Sequence, residues 1–347
     1  MLTKRSLPTF VLSLTALLLA GCLGGDDSGD SSRDGETPAE DIEGEVGIDG
    51  SSTVAPISSA VTEEMARLYP RIRAPVSTSG TSGGFKRFVV GDIDISDASR
   101  PIKESEQEAC RENGIDYIEL KVAIDGLTVV VNQENDWVDG LTIAQLKQIW
   151  EPNSSVTTWA DVNPEWPDET IKLFGPGTDS GTFEYFTEEV CGEAGASRPD
   201  YEASENDNVL VTGVSGEKYS LGYFGYAYYI DNQDQLKALA IAPSETDSAA
   251  TDANASSKPY LPDGAVFPNA ETVASGAYTP LSRPLFLYVN KESLKKPAVA
   301  AYLEYYLSDE GQSLVPDVGY VSLNAEQLAE ARSTLQQAMD EVGASVP

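Results

Sequence analysis

The chain contains no histidine, only three cysteines and little positive charge: 23 Lys and Arg stand against 56 Asp and Glu in 347 residues. Without histidine, Ser-His-Asp and Cys-His nucleophilic catalysis and His-ligated metal sites are all excluded. No metal or cofactor is expected, because two cysteines beyond the leader make a poor zinc site on their own. The formal net charge of -33 argues against nucleic acid and anionic membrane surfaces as partners. It resembles the acidic, hydrated surface of proteins from salt-loving organisms, where ~1 M salt shortens the screening length to about 3 Å. What remains is a globular composition, 41% hydrophobic and 23% charged, with length enough for two domains.

Long apolar runs are scarce as well, and the main one belongs to a targeting segment. Lys4 and Arg5 form a charged start, residues 7–19 are apolar, and Leu19-Ala20-Gly21-Cys22 closes the run. At this length it falls short of the roughly 20 residues of a membrane span. The tetrad resembles a lipobox, so residues 1–21 are read as a signal peptide and Cys22 as the lipid anchor; a plain signal peptide with an incidental cysteine is the alternative. Residues 22–45, rich in Gly, Ser, Asp and Glu, cannot bury a core and are read as an acidic flexible tether. Cys110 and Cys191 are expected to be unpaired.

Three short Ser/Thr/Gly loops carry the chemistry: Gly50-Ser51-Ser52-Thr53-Val54, Ser79-Gly80-Thr81-Ser82-Gly83-Gly84 and Thr178-Asp179-Ser180-Gly181-Thr182. Each runs into a helix-like segment, offering hydroxyls and unpaired N–H groups where a helix dipole is positive, the chemistry of an anion site. No Gly-x-x-x-x-Gly-Lys-Ser/Thr motif is present, which excludes a nucleotide phosphate loop of that type. From residue 46 onward short apolar runs alternate with helical periodicity, predicting an α/β fold. Helices are expected over 56–69, 104–113, 143–150 after a Thr142 cap, 182–190, 297–307 and 325–342. Residues 242–277 read as an exposed, loosely ordered excursion.

In order along residues 46–325, the chain resembles the phosphate-binding proteins of ABC importers. The resemblance rests on Gly50-Ser51-Ser52-Thr53-Val54-Ala55-Pro56, Ser82-Gly83-Gly84-Phe85-Lys86 and Asp94-Ile95-Ser96-Asp97-Ala98-Ser99-Arg100-Pro101. It continues through residues 125–132, Gly175-Pro176-Gly177-Thr178-Asp179-Ser180-Gly181-Thr182-Phe183, Leu221-Gly222-Tyr223-Phe224-Gly225-Tyr226 and Ser282-Arg283-Pro284-Leu285-Phe286. It implies a two-lobed class II periplasmic-binding-protein fold with a two-strand hinge and the ligand in the cleft between lobes. One lobe would combine residues 46–126 and 284–347 and the other 127–283, with hinge crossings near 127–131 and 285–289. The implied protein is a monomeric, extracytoplasmic receptor, lipid-anchored outside the cytoplasmic membrane, that passes inorganic phosphate to an ABC permease and does no chemistry on it. Alternatives are a receptor for arsenate, sulfate or molybdate, or a phosphate-ester hydrolase using Asp97 or Ser180.

The resemblance places Ser52, Thr53, Val54, Thr81, Ser82, Asp97, Arg100, Asp179, Ser180, Gly181 and Thr182 at the anion. Thr53 would offer hydroxyl and N–H and Val54 its N–H; a simple helix cap uses the same groups. Asp97 would accept a proton that HPO₄²⁻ or H₂PO₄⁻ carries and sulfate lacks; capping of the loop before Pro101 is the plain alternative. The family's usual arginine ahead of the Ser-Gly-Thr loop is absent, with Pro176 in its place. Arg100, pairing with phosphate, Asp97 or Asp179, is the candidate countercharge, or helix dipoles and neutral donors suffice. Tyr223, Phe224 and Tyr226 are expected to pack rather than bind.

Overall fold

In a computed structural model the described residues are 42–178, 180–243 and 259–344. Cys22 and the signal peptide lie outside them, as do most of the tether and Asp179. Two boundaries differ from expectation. The folded body begins before residue 46: Ile42 is buried, and Gly44–Glu45 pairs in parallel with Ile72–Arg73. Residues 259–277 are no loose excursion either, since Tyr260 and Val273 are fully buried and Val266 bridges to Ile241. Composition misleads there because a few large apolar residues anchor an otherwise polar stretch.

The architecture is a nine-stranded mixed sheet clothed by helices. Its strands are β1 (Ile48–Gly50), β2 (Val76–Ser77), β3 (Ile95–Ala98), β4 (Tyr117–Asn132), β5 (Lys172–Gly175), β6 (Glu202–Ala203), β7 (Ser220–Gly225), β8 (Leu236–Ala238) and β9 (Ser282–Asn290). They run in the order β2-β1-β3-β9-β4-β7-β5-β6, with β8 also on β4. The 16-residue β4 is almost wholly buried, so it is the common spine of two half-sheets. Up to Gly126 it pairs antiparallel with β9, and from Leu127 it pairs with β7 instead. The change of partner therefore falls at residues 126–127. Residues 285–289, expected as a crossing, lie wholly within the first half-sheet, and β9 enters it at Ser282 next to a Leu127 N–H bond to the Leu281 carbonyl of 2.9 Å.

The parallel strands β1, β2 and β3 each feed a helix, α1 (Ala55–Leu68), α2 (Thr81–Phe88) and α3 (Glu104–Asn113) in turn, the crossover that parallel pairing requires. In the second half, β5 feeds α4 (Gly181–Phe186), which continues as a π-helical turn over Thr187–Cys191. Tyr223 and Phe224 pack rather than line a cleft; Tyr223 stacks on Phe186 with ring centroids 3.7 Å apart. Cys110 and Cys191 are both unpaired. Among the described residues no helix is long and apolar enough to cross a membrane.

Candidate anion site

The first loop leaves β1 at Gly50, whose φ of 147° and close approach to β3 demand glycine, since a Cβ would lie 2.1 Å from the Asp97 carbonyl oxygen. Ser51 then organises the turn. Its hydroxyl accepts the Thr53 N–H at 3.2 Å, and its carbonyl accepts the N–H groups of Val54 and Ala55 at 3.2 and 3.0 Å. The amides of Thr53 and Val54, expected to face the anion, are thus spent within the loop. Val54 is buried and serves as the N-cap of α1 through backbone alone. What the loop presents to the cleft is the hydroxyl of Thr53 and the exposed Ser52.

The second loop enters α2 at Gly80. The Thr81 hydroxyl lies 3.1 Å from that of Ser99 and accepts its N–H at 3.3 Å, tying the loop to the end of β3. Arg100 donates to Ser82 Oγ at 3.1 Å and forks onto Glu106 at 2.9 and 2.8 Å. The guanidinium lines the cleft, but its charge is matched by Glu106 rather than Asp97, so Arg100 is not the free countercharge expected of it.

The third loop caps α4: Ser180 Oγ accepts the Thr182 N–H at 3.2 Å. Gly181 packs straight onto the first loop, a Cβ there falling 2.8 Å from Thr53 Oγ1. The first and third loops therefore meet at Thr53, although residues 180–182 are not on the open cavity wall.

A third partner converges on Thr53 that sequence reasoning passed over. Arg283, near the start of β9, donates from Nη2 to Thr53 Oγ1 at 3.3 Å and from Nε to Asp125 at 3.2 Å. Its guanidinium carbon lies 3.7 Å from the centroid of the Tyr185 ring. Asp125 faces Arg283 in β-register across β4 and β9. Burial raises the Asp125 carboxyl, and Arg283 pulls it part of the way back. A cavity of about 460 Å³ opens from this point, lined by Ser52, Thr53, Thr81 and Ser82 among other hydroxyl-bearing residues and by Arg283. Glu184, Glu188 and Glu189 also line it; burial and then Glu188 push Glu189 up, with Arg283 opposing.

Asp97 sits deeper than expected. It is fully buried behind the first loop and not on the cavity wall. Burial pushes its carboxyl up to about 8; the Ser58 hydroxyl opposes this and the Asp49 charge adds to it. Neither Asp97 oxygen nor Ser58 Oγ completes a well-formed hydrogen bond. A buried acceptor without a donor is costly unless something supplies one. Among the described residues no cluster of Cys, Asp or Glu is placed to hold a metal ion.

The PBP superfamily domain matches residues 35–310 of the chain. The protein SphX of Synechocystis sp. is 43% identical over 284 residues, covering 81% of this chain and 79% of its own. The phosphate-binding protein PstS of Staphylococcus saprophyticus is 38% identical over 326 residues, covering 93% of this chain and 92% of its own. The chain belongs to the PstS family within this superfamily. The crystal structure of a possible phosphate binding protein from Planctomyces limnophilus is 45% identical and superposes with a TM-score of 0.78, over 86% of this chain and 99% of that one. The mixed α/β fold is that of this superfamily of binding proteins.

Membership in the PstS family sharpens what sequence reasoning missed. Arg283 was in view as part of Ser282-Arg283-Pro284-Leu285-Phe286, and an arginine inside an otherwise apolar strand was the available signal. Ser51 carried the same Ser/Thr signal as its neighbours. Tyr185 and the three glutamates gave none, since an aromatic among helical residues reads as core.

Proposed function

We propose that the chain is an extracytoplasmic receptor that captures inorganic phosphate in the cleft and delivers it to an ABC permease. The observation that carries this reading is the convergence on Thr53 of Gly181 from one half of the fold and Arg283 from the start of β9 in the other. An anion held there would take the Thr53, Thr81 and Ser82 hydroxyls, the Ser180 and Thr182 hydroxyls, the Gly181 amide, and the free edge of Arg283. Arg283 replaces the arginine that Pro176 displaces. Relatives bearing the name phosphate-binding protein PstS support phosphate as the ligand.

Asp97 is the group we assign to reading the ligand's proton. Once the first loop parts to admit the ligand and the carboxyl ionises, its unpartnered oxygens are acceptors that a P–OH group satisfies and a fully ionised sulfate does not. Asp179, outside the described residues, retains its proposed role of capping α4 or bonding the ligand. The halves, residues 46–126 with 284–347 and 127–283, would close about the change of partner in β4. Cys22, also outside the described residues, would anchor the monomeric receptor to the membrane by a lipid, with residues beyond it as tether. Release of the chain from membranes by Cys22→Ser tests the anchor.

Equilibrium dialysis of the receptor against labelled phosphate, competed with arsenate, sulfate and molybdate, tests the ligand. Displacement by arsenate and not by sulfate is expected. Equal displacement by sulfate would replace phosphate with a general oxyanion ligand, and no retained phosphate would end the reading.

A further inference from the structure

Resting on the anion-receptor reading, we infer that Tyr185 is a positioning residue for anion binding, aiming Arg283 from across the cleft and coupling its orientation to closure of the third loop. Three contacts define the guanidinium. Asp125 takes Nε at 3.2 Å, Thr53 takes Nη2 at 3.3 Å, and the Tyr185 ring covers one face at 3.7 Å. Hydrogen bonds act at the edge of a guanidinium and stacking acts on its face, so the ring fixes the plane without consuming a donor. Arginine has five N–H donors. The plane that the ring sets leaves the remaining edge to the cavity that Arg283 lines.

Tyr185 is itself held twice. It is buried to 1% exposure and its hydroxyl donates to the Pro280 carbonyl, three residues before Arg283. It also lies four residues after Gly181 on α4, about 6 Å along the axis and on the same face. Gly181 seats on Thr53 while Tyr185 seats on Arg283. One rigid helix therefore makes both contacts at a fixed spacing, and they form or break together. Separation of α4 from Thr53 would free the guanidinium to tilt, and its seating would restore the arginine's aim. Glu184, Glu188 and Glu189 of the same helical segment also line the cavity.

A double-mutant cycle in the full chain tests the inference, using calorimetric titration with phosphate and, in parallel, sulfate. Tyr185→Leu is expected to weaken binding roughly 3- to 30-fold, the worth of a desolvated cation–π contact. Tyr185→Phe keeps the ring face and should recover most of that loss. In an Arg283→Gln background Tyr185→Leu should change affinity less than about two-fold, because the pair no longer exists to be broken. The same loss in both backgrounds, or no loss in either, overturns the inference. Thermal unfolding accompanies each variant, with Tyr185→Met replacing Leu if the latter does not fold cooperatively. The cycle is scored on whichever anion the unaltered chain binds. Binding of sulfate alone then counts against phosphate and not against Tyr185, and binding of neither overturns both.

Discussion

Gly181 and Thr53 touch across the cleft, so closely that a methyl group on Gly181 would lie 2.8 Å from Thr53 Oγ1 and 3.4 Å from its Cα. The third Ser/Thr/Gly loop therefore does not merely resemble the first; it packs against it. Glycine is needed because the two backbones approach to within contact, a constraint separate from any demand on φ.

From this contact, Gly181→Ala is expected to prop the loops apart while leaving each half intact. Anion affinity should fall by about 1–3 kcal/mol, the usual cost of overfilling a tight contact, or roughly 5- to 150-fold. Calorimetric titration beside thermal unfolding checks it: a fall in affinity with little change in melting temperature is the expected pair.

Arg283→Gln should act on both binding and stability. It removes the charge assigned to the anion, worth about 1.5–3 kcal/mol for a charge-assisted hydrogen bond. It also strands Asp125 in the interior, where losing one partner of a buried pair costs about 3–5 kcal/mol. Asp125 is already raised by burial, and without Arg283 it is raised further. Its ionisation then opposes folding, so the destabilisation should grow as pH rises. Adding Asp125→Asn should recover much of the stability and none of the charge-assisted binding, as read from unfolding curves at pH 5 and pH 8.

Asp97 gives the ligand-free protein a pH dependence of definite sign. Its carboxyl is raised to about 8, above the ordinary value of 3.8. Between these values the folded chain holds a proton that the unfolded chain has released. Asp97 therefore favours folding at the acid end, and stability is lost as pH rises toward 8 at up to about 1.4 kcal/mol per pH unit. Asp97→Asn should abolish that slope, visible as a difference between the two unfolding free energies from pH 5 to 9, and should erode phosphate-over-sulfate discrimination. A difference that stays flat with pH would contradict the burial argument.

Much of the scaffold was legible in the sequence because its signals are local. The Thr142 cap and the helix over Ile143–Trp150 follow from neighbouring residues, as do the helices Glu104–Asn113 and Ala325–Val342. The hydroxyl loops were legible for the same reason. The countercharge was not: Arg283 finds its partners 158 and 230 residues away in the chain, at Asp125 and Thr53. No local pattern distinguishes such an arginine from one paired elsewhere. Arg100 shows the converse, an arginine beside the right motif that Glu106 had already neutralised. The stretch 259–277 was misread because composition averages over the few residues, such as Tyr260, that do the anchoring.

We propose that phosphate is held where Thr53, Gly181 and Arg283 meet. Calorimetric titration of the full chain with phosphate and with sulfate at molar salt, in the unaltered protein and in Arg283→Gln, tests it most directly. Saturable phosphate binding is expected, with much weaker heats with sulfate and at least about a ten-fold loss of phosphate affinity on removing the arginine. Phosphate bound equally well without Arg283, or not bound at all by the unaltered chain, would contradict it.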